Sequence, residues 1–211
     1  MLNLSTKMTL KQAKEIAGSL GKPSKMPGLS YGISAKECIT GAQLAKIPGT
    51  VCHGCYALKA NYSYPSVMQA HLKRGSSLNH PLWVDAMVTQ IRASGTGWFR
   101  WHDAGDLQSF QHLLNIVKVA ELCPSISFWL PTKEKKFINQ FLEAFGDFPN
   151  NLTVRVSGAM VDGPAPDFEF TSTVVTDPEQ ATCKAFKNNN KCGDCRKCWS
   201  KDVSNVSYLQ H

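Results

Sequence analysis

The cysteines of this chain lie in two short groups, and this arrangement constrains the fold and its chemistry more than any other feature. Eight cysteines occur in 211 residues. The first group, with the spacing C-x13-C-x2-C, consists of Cys38, Cys52 and Cys55. The second group, with the spacing C-x8-C-x2-C-x2-C, consists of Cys183, Cys192, Cys195 and Cys198. Each group is therefore a candidate metal site, and Cys123 lies outside both.

The spacing of the second group favours an iron–sulfur cluster. Two consecutive C-x2-C turns direct three thiolates toward one point, which is what a cubane 4Fe–4S cluster requires. Zinc is the alternative, although a structural zinc site more often takes its four ligands from separated C-x2-C pairs. The three cysteines of the first group leave one iron of a second cluster open to a substrate, a cofactor or water. The sequence thus predicts one or two 4Fe–4S clusters, with zinc as the alternative.

Disulfides are another use for eight cysteines, and the sequence argues against them. The first twenty residues lack the continuous apolar stretch of a signal peptide and have the pattern of an amphipathic helix. No segment approaches the roughly 18 apolar residues of a membrane span. We therefore expect a cytosolic protein without membrane association, in which thiols stay reduced and grouped cysteines favour metals. The isolated Cys123 precedes a proline and is expected to be a small buried residue.

The net charge of +7 is concentrated at the two ends of the chain. Residues 1–25 contain five lysines and one glutamate, and residues 183–201 contain six lysines or arginines and one aspartate. A 4Fe–4S cluster with four thiolates is anionic, so the basic C-terminal segment can neutralise its own cluster. The alternative is contact with the phosphates of nucleic acid. Nucleic acid is therefore a candidate partner, beside a small-molecule ligand of the open iron.

The middle of the chain alternates between strand and helix patterns. Apolar runs predict strands at residues 28–34, 97–103, 126–130, 152–157 and 172–175. Helical spacing predicts helices at residues 65–75, 81–94, 107–122 and 133–145. Such alternation implies right-handed crossovers and a parallel sheet. We expect a single α/β domain over residues 1–211, with a partial (half) parallel β/α barrel over 1–180 and a Cys-rich segment over 181–211. Arg155, within one strand, either pairs inside the protein or faces solvent.

Polar residues follow the predicted strand ends, where parallel sheets carry their chemistry. His102, Asp103 and Asp106 follow the strand at 97–103 and are candidate catalytic residues, because such side chains transfer protons, bind polar ligands or orient cluster ligands. Lys133 follows the next strand and is a candidate cofactor-binding residue. The alternative is structural: either aspartate caps the following helix, and Gly105 forms the turn.

This order of elements resembles the radical S-adenosylmethionine half-barrel. In that superfamily a first strand leads into a three-cysteine loop, and a second strand ends in a Gly-Gly-Glu-like motif that holds the methionine amine. The corresponding residues here are Cys38, Cys52, Cys55 with the adjacent Tyr56, and Ala104-Gly105-Asp106. The resemblance implies that S-adenosylmethionine binds with Tyr56, Gly105 and Asp106 as cofactor-binding residues. The first spacing is longer than in that superfamily, and Asp106 stands in place of glutamate.

A second resemblance covers nearly the whole chain. It rests on the segments GKPSKMPGLSYGISA, CHGCYALKANY, FRWHDAGDL, FWLPTK, NLTVRVSG and CGDCRKCW, together with the final His211. These segments resemble the phage family called gene product 88. The resemblance implies a virus-encoded, cluster-binding protein made in the cytoplasm of the infected bacterial host.

Two functions from different classes follow from these patterns. The first is a 4Fe–4S protein on a scaffold like that of the radical enzymes, with redox or radical catalysis. The second is a non-catalytic module that zinc or one cluster stabilises and that binds nucleic acid or a host protein. The sequence leaves the reaction and the substrate open.

Overall fold

The computed structural model describes residues 6–210, apart from the side chain of residue 60. Within this range the chain forms a mixed α/β fold. The helices are α1 Leu10–Ala17, α2 Ile39–Leu44, α3 Pro65–Ser77, α4 Trp83–Ala93, α5 Phe110–Leu122 and α6 Lys135–Phe145. The strands are β1 Leu29–Tyr31, β2 Trp98–Trp101, β3 Ser127–Thr132, β4 Leu152–Val161, β5 Thr171–Val175 and β6 Asn205–Leu209.

The strands form one six-stranded sheet in the order β1-β2-β3-β4-β5-β6, and each neighbouring pair is parallel. This confirms the predicted α/β class and parallel sheet. The register aligns Leu29 with Phe99, Phe99 with Phe128, and Phe128 with Leu152. An apolar row therefore crosses the first four strands, and it fixes which side chains face the helices.

The two faces of the sheet are covered differently. Phe99, Trp101 and Phe128 belong to the main core, which also includes buried residues of α1, α4, α5 and α6. The opposite face carries Trp129, which packs in a second cluster with Trp199 and other residues of the C-terminal segment. The Cys-rich segment thus lies against one face of the sheet and the helices against the other.

Helix α5 begins later than the sequence predicts. The sequence predicts a helix over residues 107–122, with an aspartate cap as the structural alternative, but α5 begins at Phe110, and the Ser109 hydroxyl accepts the capping hydrogen bond from the His112 N–H at 3.0 Å. Neither Asp103 nor Asp106 caps it, because Asp106 is held by other donors described below. The capping account of this turn is therefore wrong.

Two elements were not expected from the sequence. Helix α2 is only six residues long and lies inside the loop of the first cysteine group, and β6 begins seven residues after Cys198. The predicted N-terminal helix is present as α1, where Thr9 and Gln12 form a capping box. Its expected first residues, 1–5, lie outside the described range. No helix within residues 6–210 combines the length and apolar character needed to cross a membrane.

Candidate metal centres

The first cysteine group lies in the loop between β1 and α3, and α2 positions its first member. Cys38 immediately precedes α2. A methyl group placed on Gly41 of α2 would lie 3.5 Å from the Cys38 Sγ and 3.6 Å from the Cys52 Sγ, so the two sulfur atoms flank the same glycine. The Cys55 N–H donates to the Cys52 carbonyl at 3.2 Å, which closes the C-x2-C turn. Helix α2 and this turn therefore bring three thiols to one region.

This loop is attached to the carboxyl ends of β3 and β4. The Val51 N–H donates to the Ala159 carbonyl at 2.9 Å. Glu134, just after β3, accepts hydrogen bonds from the Thr40 N–H at 2.9 Å and from the Thr40 hydroxyl at 2.8 Å. The thiols consequently lie at the sheet edge where parallel folds place their chemistry. Glu134 was not predicted as a site residue, since only the structure shows that α2 returns to it.

A partly buried lysine faces the three thiols. The Lys133 ammonium donates to the Gly158 carbonyl at 2.6 Å and interacts electrostatically with all three cysteines of the group. Burial raises the pKa of Cys38 to about 12, and the pKa of Cys52 is also raised by burial although Lys133 opposes that shift. Burial in turn lowers the pKa of Lys133. Burial therefore disfavours the charged forms of these thiols and of the ammonium, and the attraction between Lys133 and the thiolates opposes this effect.

Asp106 joins the ends of β2 and β3. Its Oδ1 accepts from the Leu107 N–H at 2.7 Å and from the Thr132 hydroxyl at 2.6 Å, and its Oδ2 accepts from the Lys133 N–H at 2.8 Å. Burial raises the pKa of Asp106 to about 6 in spite of these donors. The structure therefore brings two predicted residues, Asp106 and Lys133, together beside the first cysteine group.

The turn after β2 holds the other predicted residues. The Asp103 carbonyl accepts hydrogen bonds from the hydroxyls of Tyr56 at 2.8 Å and Tyr62 at 3.4 Å. Gly105 has a φ of +79°, and a Cβ there would lie 2.4 Å from Ile33, so glycine is needed for both conformation and space. Tyr56, next to Cys55, therefore connects the cysteine loop to this turn.

His102, in the same turn, packs against His112 of α5. Its φ of +53° is in the left-handed region, and it is only 3% exposed. Its ring packs at 5.3 Å from that of His112, and neither of its ring nitrogens has a hydrogen-bond partner within the described residues. Burial lowers the pKa of His102, and it lowers that of His112 to about 3. Strain combined with unpaired buried nitrogens is characteristic of functional positions.

The second cysteine group lies across the opposite face of the sheet. The Cys183 N–H donates to the Ser207 carbonyl at 2.9 Å, which attaches the group to β6. The Tyr208 hydroxyl lies 3.1 Å from the Cys198 Sγ. Burial raises the pKa of Cys198 to about 11, and Cys183 and Cys192 interact with it electrostatically. Cys192 has similar interactions with Cys183 and Cys195, so the four thiols share one neighbourhood.

Two arginines that the sequence analysis did not assign to a site lie beside this group. Arg155 is fully buried and directs its guanidinium at backbone carbonyls of the C-terminal segment, which decides the choice that the sequence left open. Arg100 lies with its guanidinium carbon 4.5 Å from the centre of the Trp129 ring and donates to the Tyr56 hydroxyl at 3.3 Å. It also interacts electrostatically with Cys198. Its place on this face could have been inferred from the alternation of FRW in β2.

No group of three or more His, Cys, Asp or Glu side chains among residues 6–210 is arranged to hold a single metal ion directly. The neighbouring residues nevertheless fit an anionic, thiolate-ligated centre in each place. Lys133 faces the first cysteine group, and Arg100 and Arg155 lie beside the second.

Comparison with known proteins identifies the family. The family model described as gene product 88 matches residues 3–201, so the chain belongs to the gene product 88 family, the phage family expected from its sequence. No curated protein and no solved structure matches the chain.

Proposed function

We propose that this member of the gene product 88 family is an iron–sulfur protein that works in the cytoplasm of the infected bacterium. Cys183, Cys192, Cys195 and Cys198 would hold one 4Fe–4S cluster. Cys38, Cys52 and Cys55 would hold a second cluster on a partial barrel similar to that of the radical S-adenosylmethionine enzymes. The chain would form a single domain, in which residues 181–211 are the Cys-rich segment. A cluster supplies one-electron chemistry, and an incompletely ligated iron adds a place where a ligand binds.

The pairing of each cysteine group with a neighbouring cation carries this proposal. Arg155 is fully buried, and within residues 6–210 no carboxylate stands at ion-pair distance from it. A buried cation is costly unless a negative charge or a full set of acceptors compensates it. Backbone carbonyls accept hydrogen bonds from all three guanidinium nitrogens of Arg155, and an anionic cluster with four thiolates would add charge compensation on this face of the sheet. Lys133, which is partly buried, interacts electrostatically with all three cysteines of the first group and also with Asp106.

The first group is the better candidate for chemistry. Its three cysteines leave one iron of a cluster without a protein thiolate, and it lies at the carboxyl edge of the parallel sheet. Lys133 and Asp106 would orient a polar ligand there, Tyr56 and Gly105 would help to bind it, and His102 and Asp103 lie in the adjoining turn. S-adenosylmethionine is the ligand that the superfamily resemblance suggests.

Anaerobic reconstitution with iron and sulfide tests the proposal. The wild-type chain should bind iron and sulfide at both groups. Cys195→Ser should lose the metal of the second group, Cys52→Ser that of the first, and Cys123→Ala, the matched control outside both groups, neither. A chain that instead takes up zinc and no iron would favour the non-catalytic module that binds nucleic acid or a host protein.

Isothermal titration of the reconstituted protein with S-adenosylmethionine tests the ligand separately. Binding that Cys52→Ser abolishes and Cys195→Ser preserves supports the radical-enzyme type of site. Absence of binding at millimolar ligand, with the iron content intact, would leave a redox or structural role for the first cluster.

A further inference from the structure

The C-terminal segment consists of two parts that are held in different ways. Residues 184–196 are mostly exposed, and their hydrogen bonds are largely internal, such as those from the Arg196 guanidinium to the carbonyls of Gly193 and Cys195. Their contacts with the remainder of the protein include the Cys192 N–H to the Lys25 carbonyl at 2.9 Å and the Arg196 guanidinium over the Trp98 ring at 5.3 Å. We call this part the outer loop.

We call residues 197–204 the anchor. One side chain of the sheet binds the backbone of this part. Arg155, on β4, places its guanidinium within hydrogen-bond distance of six backbone carbonyls, and five of these carbonyls belong to the anchor. Three of the six surround Nη2, so one of its two N–H groups is shared between two acceptors. The acceptors are Lys197 at 2.9 Å, Cys198 at 3.0 Å, Ser200 at 2.7 Å, Val203 at 2.8 Å, Ser204 at 3.2 Å and Thr171 at 3.2 Å. The planar guanidinium is suited to this task because its five N–H groups are fixed in direction. A lysine at the same place has three donors on a single nitrogen and cannot reach this set.

Trp199 strengthens the same attachment. Its indole N–H donates to the Phe99 carbonyl at 2.9 Å, and its carbonyl accepts from the Thr153 hydroxyl at 2.8 Å. Its ring lies 5.7 Å from that of Trp98 and 5.3 Å from that of Trp129. The anchor is therefore joined to β2, β3 and β4 by contacts that involve no cysteine sulfur.

We propose that Arg155 is the positioning residue of the second cysteine group: it fixes the anchor, and with it Cys198, before any metal binds. Metal then organises the outer loop, which carries Cys192 and Cys195, around this fixed ligand. The inference rests on the proposed function for its metal, but the role of Arg155 in the metal-free chain does not.

Hydrogen exchange with the full chain tests the role of Arg155 directly. In wild-type protein, chelator removal of the metal should speed exchange in residues 184–196 and leave residues 197–204 protected. In Arg155→Lys and Arg155→Gln, residues 197–204 should exchange faster by about tenfold or more, with or without metal. Arg92→Lys is the matched control, since Arg92 also donates to a backbone carbonyl, that of Leu122, outside the segment.

Metal content and proteolysis complete the test. Arg155→Lys should lose metal from the second cysteine group and retain it at the first, although the seven cysteines of the two groups are all present. Cys195→Ser should become sensitive to trypsin at Lys184, Lys187 and Lys191, while cleavage at Lys197 and Lys201 stays slow.

Two results would overturn the inference. One is unchanged protection of residues 197–204 in both Arg155 variants. The other is loss of that protection in wild-type protein as soon as the metal is removed. If wild-type protein binds no metal at all, the proposed function fails, yet the exchange of the metal-free Arg155 variants still decides whether this arginine fixes the anchor.

Discussion

The hydroxyl of Tyr208 lies 3.1 Å from the Sγ of Cys198, and the Tyr208 ring stacks on Trp129 with 6.5 Å between centroids. When Cys198 is a metal-bound thiolate, the phenol must be the donor, because the sulfur then carries no proton. A hydrogen bond to a ligating sulfur stabilises the reduced, more negative state of a cluster. We therefore predict that Tyr208→Phe lowers the reduction potential of the second cluster, by tens of millivolts in order of magnitude.

This change keeps the ring and removes only the hydroxyl, so the melting temperature should change little. Potentiometric titration followed by electron paramagnetic resonance measures the shift. Tyr64→Phe, which alters an exposed tyrosine, is the control. An identical potential in wild type and Tyr208→Phe would show that this contact does not influence the centre.

The second prediction concerns the charge of Lys133. This ammonium favours the thiolate form of Cys52, whose pKa burial raises. In metal-free protein, Lys133→Gln should slow alkylation of Cys52 by iodoacetamide several-fold at pH 8, because a smaller fraction of the thiol is ionised. Lys136→Gln, on the exposed side of α6, should leave the rate unchanged. Equal rates in the two variants would mean that Lys133 does not act on this thiol.

The third prediction concerns the hydroxyl of Thr132, which donates to Asp106 at 2.6 Å and accepts from the Glu134 N–H at 3.0 Å. Thr132→Val removes both bonds from a buried site, so it should lower the free energy of unfolding by about 1–3 kcal/mol. It should also raise the pKa of Asp106, since the carboxylate loses a donor. Thr132→Ser keeps the hydroxyl and is the control. Chemical denaturation and carboxyl titration by nuclear magnetic resonance measure the two effects, and a valine variant as stable as the serine variant would contradict the account.

The fourth prediction concerns pH. Burial lowers the pKa of His112 to about 3, so between about pH 6.5 and 3 the unfolded chain binds a proton at this residue that the folded chain does not. The contribution of His112 to stability is complete above pH 6.5 and is lost as the pH falls through this window. His112→Asn should reduce the slope of unfolding free energy against pH by about 1.4 kcal/mol per pH unit in that range.

Asparagine can still accept the hydrogen bond that the His112 ring receives from the Gln108 N–H. His80→Asn, which changes an exposed histidine, is the control. Denaturant unfolding at several pH values provides the comparison. If His112→Asn and His80→Asn change the slope of unfolding free energy against pH by the same amount, His112 is not a neutral, buried histidine in the folded chain.

The sequence predicted the first five strands of the sheet and their parallel pairing, but it did not predict the sixth strand. Each of the first five strands stands out as an apolar run between helices or turns, and each pairs with a parallel neighbour as expected. Strand β6 has five residues, begins seven residues after Cys198 and pairs only with β5 in the described sheet, and no α-helix directly precedes it to mark its position. Helix α2, six residues within a loop rich in glycine and cysteine, is similarly too short for a periodic signal.

The candidate sites also contain residues that the sequence predicted and residues that only the structure shows. Cysteine spacing alone indicated both groups, and the strand-end rule placed Asp106 and Lys133 near the first. The sequence left the role of Arg155 open, because strands buried on both faces have no polar alternation that reveals orientation. Its partners are carbonyls more than forty residues later in the chain, apart from Thr171, and only the return of the C-terminal segment shows them. For Arg100 the alternation in β2 indicates the face, but its partners Tyr56 and Trp129 are distant in sequence and only the structure shows them.

Iron and acid-labile sulfide analysis of the anaerobically reconstituted chain, with electron paramagnetic resonance after dithionite reduction, tests the central claim most directly. The account predicts a brown protein with 4Fe–4S signals from both cysteine groups, of which Cys195→Ser removes one and Cys52→Ser the other. A colourless protein that retains stoichiometric zinc and shows no such signal under these conditions would contradict it.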